Sequence, residues 1–178
     1  MIGPLVGLKR MLGRILFWAA SVLLIAMTFL VMYQVFTRYV LDEPAAFTEE
    51  LVRYTLVWTG FIGAAYAFLT RGHMSLTILR DAIPGTAGVV VRVAIHAVVL
   101  LFAVIVLVIG GANLSFTSWG VESALLQIPR GLIYLAAPVA GLFICAAQVI
   151  AILEEITGRR STVPGEDLAE ENEEVTAS

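Results

Sequence analysis

Residues 15–36 carry no charged side chain, and only Ser21, Thr28 and Gln34 are clearly polar. A run of this length is the strongest constraint on the chain, because about 20 consecutive apolar residues cross a bilayer as one helix. It follows a basic stretch, Lys9, Arg10 and Arg14. A secretory leader also begins that way, but its apolar core is only about 7–15 residues and ends at a small-residue cleavage site. This run instead ends in Tyr33-Gln34-Val35-Phe36-Thr37-Arg38. It reads as a retained transmembrane helix.

Three further apolar stretches follow, near residues 51–69, 88–111 and 132–153, with the first at 15–37. The whole sequence is 60% hydrophobic and 14% charged, against roughly 25% charged in soluble domains. The expectation is an all-α integral membrane protein with four transmembrane helices. Residues 1–14 form a short N-terminal segment, 15–156 the membrane domain, and 157–178 a disordered acidic tail ending in EDLAEENEEVTAS. Between spans 2 and 3, Leu76, Leu79 and Ile83 at helical spacing read as a short amphipathic helix along the interface. Pro138 is expected to kink the last span.

Basic residues then set the orientation. Lys9, Arg10, Arg14, Arg71, Arg80, Arg92, Arg159 and Arg160 fall on one side, and Arg38, Arg53 and Arg130 on the other. Both termini are therefore expected in the cytoplasm. No basic patch suits nucleic acid. The single Cys145 sits in an apolar run and cannot close an intramolecular disulfide. A haem held between helices needs paired axial ligands, whereas His96 is alone within the spans and His73 lies in or beside a loop. No nucleophile motif, phosphate loop or carboxylate-rich metal box is present. The expectation is a chain without a catalytic site, a cofactor or a metal.

What remains is packing, concentrated between Arg38 and His73. Pro44 breaks the chain, and Thr48 reads as an N-cap, with Glu49 and Glu50 in the first turn of the second span. Phe47 and Val52 stand at the spacing of a hydrophobic staple. Glu49, Arg53, Leu56, Gly60, Ala64 and Ala67 then follow one helical stripe, with Gly63 beside it. Small residues four apart admit a second helix. Glu49 with Arg53, and Glu50 with Arg53, are helical charge pairs. They read either as an exposed pair at the membrane edge or as contacts that fix the register of a partner. Trp58, near mid-helix, wants an acceptor for its indole N–H and is expected to face protein, the alternative being lipid.

These residues resemble a known family. Arg38-Tyr39-Val40, Pro44, Glu49-Glu50-Leu51-Val52-Arg53-Tyr54, Val57-Trp58 and Gly63-Ala64-Ala65-Tyr66-Ala67 are similar, in order and gap, to the DctQ-like small membrane subunit of tripartite ATP-independent periplasmic (TRAP) transporters. His73-Met74, Ala124-Leu125-Leu126-Gln127-Ile128-Pro129, Tyr134 and Pro138-Val139-Ala140-Gly141 extend the resemblance. Phe47-Thr48, where relatives often carry Trp, and Thr77, where they often carry an acid, depart from it. The resemblance implies a scaffold subunit in the bacterial inner membrane. Its partners would be a large multi-span permease that holds the substrate and sodium sites, and a soluble periplasmic protein that delivers an organic acid. Arg38, Glu49, Glu50, Arg53, Tyr54, Trp58, Gly60, Gly63 and His73 are the interface candidates. The third loop, from Trp119 to Arg130, is a weaker candidate for contact with the binding protein. A cytochrome-like anchor and a stand-alone four-helix membrane protein are the competing readings.

Overall fold

The computed structural model describes residues 3–42, 45–70 and 86–157, with side chains from residue 7 in the first stretch and from residue 88 in the third. Pro44, His73, the segment 74–83 and the tail lie outside the described residues, as do Arg71, Arg80, Arg159 and Arg160. The described chain is all-helical: α1 is Gly3–Tyr39, α2 is Ala46–Leu69 and α3 is Thr86–Phe102. α3 continues without a break through a π-helical stretch, Ala103–Gly110, into α4, Gly111–Thr117. After a loop come α5, Gly131–Tyr134, and α6, Ala136–Thr157.

Three of these helical runs, Gly7–Tyr39, Gly88–Thr117 and Gly131–Thr157, are long and apolar enough to cross a membrane. α2 falls outside that set although it has 24 residues. Arg53, Tyr54, Thr55, Trp58, Thr59 and Tyr66 dilute its apolar character. Its threonines are nonetheless fitted to an apolar phase. Thr55 donates to the Leu51 carbonyl at 2.8 Å, and Thr59 to the Thr55 carbonyl at 2.7 Å. Hydroxyls satisfied within their own helix need no water. α1, with 37 residues, is about 55 Å long at 1.5 Å per residue, well beyond an apolar layer of about 30 Å. A layer of that thickness cannot hold all of it, and its basic residues Lys9, Arg10 and Arg14 are gathered in the first turns.

The helices pack as a row. α1 lies on α2, α2 on α6, and α6 on α3 with its π stretch; α1 touches α6 only sparingly, and neither α1 nor α2 touches α3 among the described residues. The core is built largely from small side chains. Ala65, Ala103, Ala140 and Ala147 are buried with Leu16, Ile62, Leu69 and Ile144. This is how helices attract one another in lipid, where close van der Waals contact replaces the hydrophobic effect. At Gly141 a Cβ would lie 2.8 Å from Leu107 Cβ, and at Gly111 one would lie 2.9 Å from Pro138 Cδ. α6 and the π stretch approach so closely only because those positions lack a side chain.

Two local expectations change. α2 begins at Ala46 with Ala45 as its cap residue and no side-chain cap. Thr48 is therefore not the N-cap: it lies within the first turn, fully buried, and donates to the Ala45 carbonyl at 2.6 Å. The helix thus starts three residues before the position that the Thr-Glu-Glu pattern suggests, and the staple spacing of Phe47 and Val52 no longer applies. The last helix is interrupted at Leu135, between α5 and α6. Pro138 accounts for the break, since its ring crowds the carbonyl four residues back, at Tyr134, and offers it no N–H.

Candidate interaction site

The N-termini of α1 and α3 and the C-termini of α2 and α6 share one end of the row, here the proximal end. The opposite, distal end carries the start of α2 and the loop of residues 118–130. That loop is a tight hairpin. Ser123 N–H donates to the Ile128 carbonyl at 2.9 Å, Arg130 N–H to the Val121 carbonyl at 2.9 Å, and Glu122 and Pro129 form an isolated antiparallel bridge. Gln127 turns the chain at φ 52°.

Glu50 ties this hairpin to α2. Its Oε2 accepts the Leu126 N–H at 3.2 Å, and its Oε1 accepts the Tyr54 hydroxyl at 2.8 Å. The Leu126 N–H is shared with Ser123 Oγ, also at 3.2 Å. Glu50 stands just ahead of the apolar part of α2. Its carboxyl is held below the usual carboxylate range, first by the Ser123 hydroxyl, against an opposing push from burial, and then by the Tyr54 hydroxyl and the Leu126 and Leu125 amides. A second anchor lies beside it: the buried Ser115 donates to the Gly131 carbonyl at 2.8 Å. A Cβ at Gly131 would meet the Ser115 carbonyl oxygen at 2.6 Å, so only glycine fits there.

Between α2 and the hairpin lies an open cleft of about 250 Å³, walled by Glu49, Glu50 and Arg53 on one side and Ala124, Leu125 and Arg130 on the other. Glu49 and Arg53 pair at 3.9 Å, with side chains 70% and 72% exposed. At that exposure the pair contributes about 0–1 kcal/mol. Arg130 is exposed and forms no ion pair among the described residues.

The structure thus joins Glu49, Glu50, Arg53 and Tyr54 to the third loop at one place. Arg38 is elsewhere, exposed in the last turn of α1, with no ion pair to Glu49 or Glu50. Trp58 is half-buried against the core. Gly60 is exposed and Gly63 half-buried, and an added Cβ at either would meet nothing within 4 Å. The exposed line down α2 is Glu49, Arg53, Leu56, Gly60 and Ala64. Among the described residues nothing packs on Gly60 or Gly63; the tight approaches are at Gly111, Gly131 and Gly141 instead.

Sequence reasoning missed the polar ladder at the proximal end. Lys9 and Glu154 pair at 3.6 Å with side chains 6% and 8% exposed. Arg92 Nε donates to Glu155 Oε2 at 3.0 Å, and His96 Nδ1 lies 2.6 Å from Gln148 Oε1, both groups buried. Arg92 and His96 stand one turn apart on α3, and Glu155 and Gln148 two turns apart on α6. The two spacings do not match, so no periodic signal in the sequence pairs these residues. With its Nδ1 engaged by Gln148, His96 acts as a tie between helices. Among the described residues no group of three or more His, Cys, Asp or Glu is placed to hold a metal.

The described chain has the build of a helical membrane protein, with three helices long and apolar enough to span a membrane and its buried polar pairs joining one helix to another. Residues 27–158 match the family model described as "Tripartite ATP-independent periplasmic transporters, DctQ component", and the chain belongs to that family. It is 27% identical over 135 residues to a protein of Haemophilus influenzae provisionally named a TRAP transporter small permease protein, a match that covers 75% of this chain and 83% of that one. It is 24% identical over 127 residues to the sialic acid TRAP transporter small permease protein SiaQ of Vibrio cholerae, covering 71% and 73% respectively. The chain is therefore a small permease subunit of a TRAP transporter, and the resemblance carried by its charged, aromatic and proline positions holds.

Proposed function

We propose that this subunit is the static scaffold of a sodium-gradient-driven, binding-protein-dependent importer of an organic acid in the bacterial inner membrane. It crosses the membrane four times with both termini in the cytoplasm, and it carries no catalytic site. Its partners are a large multi-span permease subunit, a periplasmic substrate-binding protein and the surrounding lipid. The naming of one relative for sialic acid supports an organic acid as cargo. The placement of Lys9 and Arg92 at the proximal end, and of Arg38, Arg53 and Arg130 at the distal end, supports the orientation. α2 is counted as the fourth span because it lies between α1 and α6 over its length and satisfies its own hydroxyls.

The observation that carries the reading is the uncovered stripe of α2. Glu49, Arg53, Leu56, Gly60 and Ala64 present charge at the edge and small residues below it, where no described helix reaches. Such a face suits the large subunit, with Glu49 and Arg53 setting register. Arg53→Glu is expected to reduce both co-purification of the large subunit and sodium-driven uptake. Unchanged assembly and unchanged uptake would refute this role. Mass spectrometry of proteins retained in mild detergent separates the alternatives. A stoichiometric multi-span partner favours the scaffold, homo-oligomers alone favour a stand-alone bundle, and a Soret band favours a haem anchor.

A further inference from the structure

We propose that the distal cleft binds the headgroup of a glycerophospholipid that carries both a phosphate and a primary amine. Arg130 and Arg53 receive the phosphate, Glu49 receives the ammonium, and an acyl chain lies along the exposed lane of α2. Four observations lead there. The cleft lies at the distal end, between the start of α2 and the loop that joins two of the long apolar helices. Its volume of about 250 Å³ is just below the roughly 300–1,000 Å³ of pockets for drug-sized ligands, and it suits a small polar group. Its charges are of both signs and spoken for unequally. Glu50 is turned into the hairpin by Tyr54 and Leu126, Glu49 and Arg53 are only loosely paired, and Arg130 has no ion pair among the described residues.

The fourth observation favours lipid over an acidic protein segment. Directly below Arg53 the exposed positions are Leu56, 56% accessible, then Gly60 and Ala64. Above the lane Leu125, also 56% accessible, forms an apolar wall of the same cleft. A polar mouth continuous with an apolar, shallow track along a helix is complementary to an amphiphile. A phosphate gains charge-assisted, forked hydrogen bonds from guanidinium groups, and an ammonium gains them from a carboxylate. A headgroup bearing glycerol in place of the amine leaves Glu49 and the phosphate to share Arg53, with no second cation for the carboxylate.

The site shares Glu49, Arg53 and the lane from Leu56 to Ala64 with the face proposed for the large subunit, so the two occupants compete there and the decisive variant is Arg130, which lies off that face. The full chain, purified and delipidated in detergent, is titrated with dioleoylphosphatidylethanolamine, dioleoylphosphatidylglycerol, glycerophosphoethanolamine and inorganic phosphate, and adducts are read by native mass spectrometry. The amine-bearing lipid is expected to bind in preference to the glycerol-bearing one. Arg130→Gln is expected to weaken it about tenfold, the loss of one charged contact, while Arg130→Lys retains most of it. Glu49→Gln is expected to erase the preference between the two lipids. Equal binding of the two lipids by the unaltered chain, or equal lipid binding by Arg130→Gln, overturns the assignment. So does inorganic phosphate binding as tightly as the lipid, which marks a simple anion site. If Arg130→Gln spares lipid but weakens capture of the soluble binding protein, the cleft is a protein contact and the lipid assignment falls. Every variant is checked for unchanged helicity by circular dichroism, and co-purification of the large subunit with Arg130→Gln tests the scaffold reading separately.

Discussion

At the scale of single residues, Glu50 is the most informative side chain. It accepts from Tyr54 on its own helix and from the Leu126 amide across the hairpin. Because its folded-state pKa lies below the ordinary 4.5, the hold it provides is fully present above that value. It is lost as pH falls through the depressed folded pKa. Protection of the Leu126 amide, its exchange relative to an unstructured chain at the same pH, is therefore expected to persist through the ordinary carboxylate range and to fall as pH drops through the lowered Glu50 pKa. In Glu50→Gln that pH step should vanish. The glycines act by what they leave out. Gly141→Ala places a methyl against Leu107 and Val108, and overpacking of this kind costs about 1–3 kcal/mol. A lowered melting temperature in detergent, with helicity retained at low temperature, is the expected result.

At the scale of elements, the proximal ladder decides how α3 is held to α6. The His96 and Gln148 side chains are both buried and bonded to each other. Removing one leaves the other without its partner, at a cost of about 1–3 kcal/mol, whereas replacing both with apolar groups of similar size is nearly neutral. His96→Leu and Gln148→Leu are each expected to lower thermal stability, and the double variant to recover most of the loss. Additive losses in the double variant would mean that the two side chains act independently. The same logic explains why His96 looked isolated in sequence. Its partner lies 52 positions away and is an amide rather than a second histidine or a charge.

At the scale of the whole molecule, the helices form an open row and not a closed bundle. A Gly13 Cβ would sit 3.6 Å from Leu69 Cδ2, so cysteines at these two positions of α1 and α2 should be joined by a short bifunctional thiol cross-linker in a Cys145→Ser background. Cysteines placed on exposed positions of α1 and α3 should not cross-link within one chain, because those helices do not meet among the described residues. The three long apolar helices were legible from their apolar runs, and the break at Leu135 from Pro138. The early start of α2 was not, because Thr48 followed by two carboxylates mimics a cap while its hydroxyl is spent on the Ala45 carbonyl. The joining of Glu50 to residues 123–126 was not legible either. It depends on a contact across 76 positions with a backbone N–H, which leaves no pattern in side-chain identity. Two regions singled out for different partners, the start of α2 and the third loop, are one surface.

The π-helical stretch has a consequence for angular phase. Ala103, Leu107, Gly111 and Ser115 recur every four residues, and all four meet the core, α5 or α6. In an α-helix that spacing overshoots a full turn by about 40° at each step, so the positions would wind around to face lipid. A wider turn, with Gly111 N–H reaching back to the Val106 carbonyl, holds more residues and absorbs the overshoot. One continuous helix can thus grip α6 through Arg92 and His96 at one end and the Gly131 turn through Ser115 at the other. Deleting a single residue from 104–110 would rotate those two grips out of alignment without touching either.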